Sequence, residues 1–262
     1  VQARTTSTRL PGKVLKPLAG KPLLSRMLER LRAAETPFEL VVATTVDRSD
    51  DAIVELCAGI HTSVFRGHPS DLLDRHLQAA RQTRAETIVK IPSDCPLIAP
   101  EVVDRVLDRW NQSPGSFDYL SNLHPPTYPD GNDVEVMTRE ALEIAWIEAR
   151  KPHEREHTTP FLWDQPERFR IGNVAWETGL NYSLSHRFTI DYEEDYQLIS
   201  AVYDALCTES RPVFSLSDIL DFISRRPDVL AFNAQHRGVS WYRHHLSELR
   251  TRNSLGTVKA PA

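Results

Sequence analysis

Over residues 1–110, short apolar runs alternate with amphipathic stretches, and this alternation constrains the fold more than any other feature. A continuously apolar run suits a strand buried on both faces of a sheet. Parallel neighbours then require a crossover, usually a helix. The pattern predicts βαβ units and an α/β fold of three layers, α/β/α, around a mainly parallel mixed sheet. Residues 1–3 read as the end of a strand that starts before this numbering. After Lys21 and Pro22, Leu23, Leu24, Met27, Leu28 and Leu31 share one helical face. Residues 38–45 (FELVVATT) read as a central strand. A helix is expected over about 50–58, capped by Ser49 or Asp50. A strand at 63–65 and a helix capped by Ser70 and running to about 82 follow. Residues 86–91 read as a strand broken at Pro92, and Pro100 marks a helix start.

After residues 113–116 (SPGS) the grammar changes. Strands are expected over 117–121, 133–137, 169–174 and 187–190, mixed with helices near 139–149 and 194–206. The expected organisation is one domain over 1–225 followed by a basic tail or arm over 226–262.

A length of 262 residues suits one large domain, and 40% hydrophobic with 26% charged residues excludes a disordered or collagen-like chain. No apolar run approaches the roughly 18 residues of a membrane span, and no charged-then-apolar leader opens the sequence. Cys57, Cys95 and Cys207 lie far apart without CxxC spacing, which argues against a disulfide scaffold or a thiolate zinc site. A cytoplasmic location is the expectation.

Charge is unevenly placed. Arg4, Arg9, Lys13, Lys16, Lys21 and Arg26 precede the first acid, Glu29, in a chain whose net charge is −5. A basic opening on an acidic protein predicts a local anion site, with neither nucleic acid nor membrane as partner. The basic tail beyond Arg225 reads as a surface helix or an oligomer arm. Its adjacent His244 and His245 point apart on a helix and make no ligand pair.

Four segments could carry chemistry. In residues 2–13 (QARTTSTRLPGK), hydroxyls and backbone N–H groups between strand and helix suit phosphate oxygens, with Arg and Lys adding charge. In residues 93–97 (SDCPL), Asp94 stands at the carboxyl end of a strand, where open α/β sheets bind ligands. It suits Mg²⁺ or simply a turn cap. In residues 189–196 (TIDYEEDY), Glu193, Glu194 and Asp195 are explained by the helix dipole, whereas Asp191 precedes the helix as a second candidate metal carboxylate. Residues 128–136 and 153–157 (HEREH) mix groups able to read a polar acceptor. HEREH has two histidines at i and i+4 but suggests no third zinc ligand.

Taken in order, QARTTSTRLPGKVLKPLAGKPLL, FELVVATT, VFRGHPSDLLDRHLQAA, IVKIPSDCPLI, YPDGNDVEV, EREHTTPF and TIDYEEDY resemble the cytidylyltransferases that activate 3-deoxy-ulosonic and nonulosonic acid sugars. The resemblance is nearest to the branch named for spore coat polysaccharide biosynthesis protein SpsF and covers roughly residues 1–225. It implies a Rossmann-like nucleotide-diphospho-sugar transferase fold of the GT-A-like kind. It also implies transfer of CMP from CTP to an acidic sugar, with pyrophosphate released, in surface polysaccharide biosynthesis. A homodimer is expected.

By this resemblance Ala3, Arg4, Ser7, Arg9, Lys13, Asp71, Arg75, Ser93 and Asp94 are nucleotide-binding, with Arg4, Lys13 and Asp94 catalytic. Asp94 and Asp191 are expected to hold Mg²⁺. Asn132, Asp133, Glu135, Arg155 and His157 fall where the acceptor would sit. Thr6 and Ser93 stand where relatives commonly have glycine.

Two other readings remain open at this level. A metal-dependent glycosyltransferase typically carries a DxD pair, and Ser93-Asp94-Cys95 lacks the second acid. A non-catalytic sugar-nucleotide sensor would be favoured by loss of a core Asp or Lys, yet Lys13, Asp94 and Asp191 are all present.

Overall fold

The computed structural model describes residues 1–239 and 241–251. The rest of the 226–262 segment lies outside the described residues. The chain opens on Gln2, which bridges in parallel to both Ala43 and Pro92. A small antiparallel hairpin of β1 (Pro17–Leu18) and β2 (Lys21–Pro22) leads into α1 (Leu23–Arg32). The face anticipated for α1 is buried in full, with Leu23, Leu24, Met27, Leu28 and Leu31 at most 1% exposed. Each such burial stabilises by about 1.5–3 kcal/mol, so truncating Leu28 to Ala would cost roughly 2–5 kcal/mol.

β3 (Val41–Thr45), α2 (Asp51–Gly59) and β4 (Ser63–Gly67) form a βαβ unit, with the strands parallel and Val41 opposite Ser63. Next come α3 (Leu72–Thr83), β5 (Thr87–Lys90), α4 (Pro100–Asn111), β6 (Tyr119–Ser121), β7 (Glu135–Thr138) and α5 (Arg139–Glu148). Two short helices, α6 (Pro152–His157) and α7 (Pro160–Trp163), precede β8 (Ile171–Asn173). α8 (Glu193–Leu206), α9 (Leu216–Arg225) and α10 (Pro227–Ala231) follow.

β5, β7, β6 and β8 make a four-stranded sheet in that order. β7 runs antiparallel to both β5 and β6, and β6 is parallel to β8. The double bridge at Gln2 joins this sheet to the β3–β4 pair, giving the mixed sheet. Residues of α1, α4, α8 and α9 bury into one core, and those of α3, α5 and α7 into a second. No helix among the described residues is long and apolar enough to cross a membrane.

Three local expectations are corrected. Ser70 does not cap α3; Asp71 does, its Oδ1 accepting from Asp74 N at 2.9 Å. Neither Ser49 nor Asp50 caps α2 through its side chain, because Asp50 is drawn inward to three threonines. Residues 187–190 form only an isolated bridge to Asp130. Their backbone is committed to two loops, with Phe188 N bonded to Asp130 O at 2.7 Å and Ile190 N to Asp94 O at 2.8 Å.

Beyond residue 225 the chain packs on the domain. Val229 joins the first core, Leu249 the second, and Asn233 is fully buried.

Candidate active site

The opening loop is held by a single carboxylate. Asp50 accepts from Thr5 N at 2.7 Å, Thr5 Oγ1 at 2.8 Å, Thr44 Oγ1 at 3.0 Å and Thr45 Oγ1 at 2.5 Å. Burial alone would push the Asp50 carboxyl up, but these donors outweigh it and hold it below its ordinary range. The turn closes where Gly12 N meets Thr5 O at 2.9 Å. Gly12, at φ 67°, is the residue that takes the left-handed conformation, so Thr6 in place of glycine carries no strain of that kind. Ala3 is buried and bonds Ala43 O through its N–H, and Ser7 Oγ faces Leu10 N at 3.4 Å.

Lys13 follows this turn and is buried. Its Nζ donates to Ile190 O at 2.6 Å and Asp191 Oδ1 at 3.0 Å, and lies 3.6 Å from Asp94 Oδ2. Arg9 reaches the same Asp191 Oδ1 at 2.6 Å. The Asp94 carbonyl accepts from Ile190 N and, at 3.0 Å, from Thr189 Oγ1, which ties the 93–95 turn to the 189–191 segment. Lys13, Asp94 and Asp191 therefore converge from three separate parts of the chain. Burial pushes the Asp191 carboxyl up, but Lys13, Arg9 and Arg187 reverse this and leave it below the usual range.

The acidic character extends further. Asp130 and Asp133 belong to the same cluster as Asp94; burial pushes both carboxyls well above the ordinary range, reinforced by Asp133 at Asp130 and by Asp94 and Glu135 at Asp133. Gly131 allows this arrangement. At φ 100° it packs so closely that a Cβ would lie 2.6 Å from Phe188 C.

Behind the cluster sits Arg187, 3% exposed at its side chain, bonded to Asp195 at 2.9 Å, Asp191 at 3.1 Å and Asp130 at 3.2 Å. Asp195 also accepts from Asn233 Nδ2 at 2.9 Å and from the N–H groups of Asp191 and Tyr192. The helix-dipole account of Asp195 is therefore incomplete, because it is a fully buried anchor that orients Asp191.

The expected acceptor residues divide. Asp133 lies in the acidic cluster. Glu135 is buried and saturated, taking Lys90 from its cross-strand partner position, Tyr119 Oη at 2.7 Å and Thr159 Oγ1 at 2.5 Å. Asn132 is committed internally, with its Oδ1 accepting from Ala99 N at 3.0 Å, its Nδ2 facing Pro129 O and its carbonyl taken by Asn122. It holds loops together and offers no free group. Arg155 pairs with Asp71 and donates to Trp146 O at 2.8 Å. His157 stacks on Trp241 with ring centroids 3.8 Å apart, and burial pulls its ring down to about 3.

Two expected nucleotide residues face inward. Arg75, 1% exposed, donates to the carbonyls of His68 at 2.7 Å and Pro69 at 2.7 Å. Burial, reinforced by nearby Arg4, lowers its guanidinium to about 10. It supports the 67–70 loop without presenting a donor outward. Asp71 is divided between capping α3 and pairing Arg155. Ser93 is buried, whereas Asp94 keeps 31% side-chain exposure and Arg9 50%.

Sequence reading missed Asp130, Arg187, Lys90 and Thr159. The alternation of residues 187–190 placed Arg187 in a strand, and only its burial among Asp130, Asp191 and Asp195 shows it as a buried counter-ion. Between α6 and α7, Thr158 stands at φ 72°, an unusual conformation for a β-branched residue, and its neighbour Thr159 reaches Glu135 from there.

The profile of the cytidylyltransferase family matches residues 1–218. The chain is 30% identical over 233 residues to spore coat polysaccharide biosynthesis protein SpsF of Bacillus subtilis, covering 87% of this chain and 94% of that one. A shorter stretch of 114 residues is 35% identical to 3-deoxy-manno-octulosonate cytidylyltransferase of Geobacter sulfurreducens, covering 44% and 45% of the two chains. Among solved structures, a cytidylyltransferase from Leptospira borgpetersenii superimposes with a TM-score of 0.82 at 33% identity, covering 87% of this chain and 94% of that chain.

Proposed function

The chain belongs to the cytidylyltransferase family and is a nucleotidyltransferase, and on that premise we propose that it transfers CMP from CTP to an acidic sugar of the 3-deoxy-ulosonic or nonulosonic type. The observation that carries this reading is the convergence of Lys13, Asp94 and Asp191 beside the hydroxyl-rich loop.

An acceptor oxygen attacks the α-phosphorus of CTP in line. The bond to the bridging oxygen breaks and pyrophosphate leaves. Such a step needs positioning and charge neutralisation more than covalent help. Lys13, with Arg4 and Arg9 at the loop surface, neutralises the triphosphate and the departing pyrophosphate. For the acidic acceptor, Arg155 and His157 remain the candidate donors, with the Lys90 charge near His157.

Asp94 and Asp191 offer hard oxygen donors that fit Mg²⁺. The upward-shifted Asp130 and Asp133 beside them mark an excess of negative charge that a cation would balance. When bound there, Mg²⁺ would polarise a phosphate oxygen and stabilise charge on it. Lys13 sits against both carboxylates, where its ammonium can donate to a triphosphate oxygen beside them.

The test is pyrophosphate release from CTP with a 3-deoxy-ulosonic acid in the presence of Mg²⁺, compared with Asp94→Asn. Turnover by the wild type, lost in a cooperatively folded variant, supports the reading. A fully active Asp94→Asn, or turnover with a UDP-sugar in place of CTP, overturns it.

A further inference from the structure

We propose that this chain carries a second metal site, separate from the nucleotide pocket, in which His153, His245 and Glu248 hold a borderline divalent transition ion of the Zn²⁺ type. His153 lies on α6 and is 1% exposed. His245 and Glu248 lie on the segment that packs over α6 near the end of the described chain. The three candidate donor atoms all lie within 4.8 Å of one another. His153 Nδ1 is 3.5 Å from Glu248 Oε2, and His245 Nδ1 is 3.1 Å from Glu248 Oε1. Tetrahedral ligands on bonds of about 2.0–2.1 Å stand roughly 3.3 Å apart, close to both histidine–carboxylate separations, and with all three donors within 4.8 Å small side-chain rotations bring them onto one ion.

An ordinary ion pair explains His245 and Glu248 but leaves His153 unexplained. Its buried Nδ1 makes no hydrogen bond, although it is turned toward the Glu248 carboxylate. A buried ring nitrogen without a partner costs stability unless something binds it, and a cation shared with the carboxylate satisfies both. The two imidazole rings lie 4.6 Å apart between centroids, close enough to turn onto one ion.

The consequence is mechanical. Lys151 Nζ already reaches Glu248 O at 3.0 Å, and Trp241 stacks on His157. An ion here would fasten the 241–249 segment onto the helix that carries Arg155 and His157. The fourth ligand position would be left to water.

The full chain, stripped with chelator, is titrated with Co²⁺, and Zn²⁺ is then added in competition. The expected result is one tetrahedral Co²⁺ centre per chain, with strong visible d–d bands that Zn²⁺ abolishes. His245→Ala and Glu248→Gln should each weaken binding at least about tenfold. Both side chains lie partly or largely at the surface, so these variants keep the fold. Asp94→Asn should retain the bands, which separates this site from the nucleotide pocket. Absence of tetrahedral bands in the wild type, or bands unchanged in both His245→Ala and Glu248→Gln, overturns the proposal.

Discussion

Lys13 and Asp191 stand 178 residues apart in sequence, yet their charged groups meet at 3.0 Å, with the ammonium 10% and the carboxylate 12% exposed. The pair is oriented from both sides: the Gly12 turn aims the lysine, and Asp195 holds the Asp191 backbone. Lys13→Met should therefore lower CMP transfer by about 10²–10³-fold through loss of a preorganised charge. Steady-state pyrophosphate release checks this. A loss confined to KM would mean that Lys13 only binds the triphosphate in its ground state.

Arg187 predicts a structural effect of a different kind. Replacing it with Met removes the buried counter-ion of Asp195 and Asp130 and leaves Asp191 to Lys13 and Arg9, and breaking such a network from one side costs about 3–5 kcal/mol. Urea denaturation of Arg187→Met should show that loss. Arg187→Lys should recover only part of it, since one ammonium cannot reproduce the fork.

Gly131→Ala should lower stability by roughly 1–3 kcal/mol or more, because its Cβ would run into the Phe188 and Thr189 backbone. Gly115→Ala provides the control. Gly115 also has a positive φ, 71°, but no atom lies within 4 Å of its added Cβ. Thermal melts of the two variants should separate strain from collision, with Gly131→Ala the lower.

His76 sets a pH dependence. It is 6% exposed, and burial, reinforced by Lys90, pulls its ring down to about 3 from an unfolded value near 6.5. Between those values the unfolded chain takes up a proton that the native chain refuses. The stability contributed by neutral His76 is thus full above pH 6.5 and is lost as pH falls toward 3, by up to about 1.4 kcal/mol per pH unit. Between pH 7 and 5 the denaturation midpoint should fall more, or rise less, for the wild type than for His76→Gln, which leaves the opposing Asp130 and Asp133 carboxyls and the buried His157 unchanged.

The elements most legible in the sequence are those with a local cause. α1 follows from five apolar residues at helical spacing, α4 from Pro100 at its start, and β3 from a run too apolar to face water. The opening loop and Asp94 could be singled out as candidates for the same reason, since a strand-to-helix turn rich in hydroxyls and cations suits an anionic ligand. What escaped depended on partners far away. Asn132 and Arg75 look like free polar groups in a string of letters, yet both spend their hydrogen bonds on neighbouring loops. His245 looks inert beside His244 until α6 brings His153 against it.

The α/β class and the strand-to-helix order of the first half are written in the chain itself, because apolar periodicity and turn chemistry act over a few residues at a time, and the family is legible in the resemblance of its motifs. Which charges meet is set by how the elements pack. Lys13 with Asp191, Lys90 with Glu135, Arg187 with Asp195 and His153 with Glu248 are brought together by sheet register and helix packing. Electrostatic partners are chosen by distance and burial in space, and neither quantity is written in sequence separation.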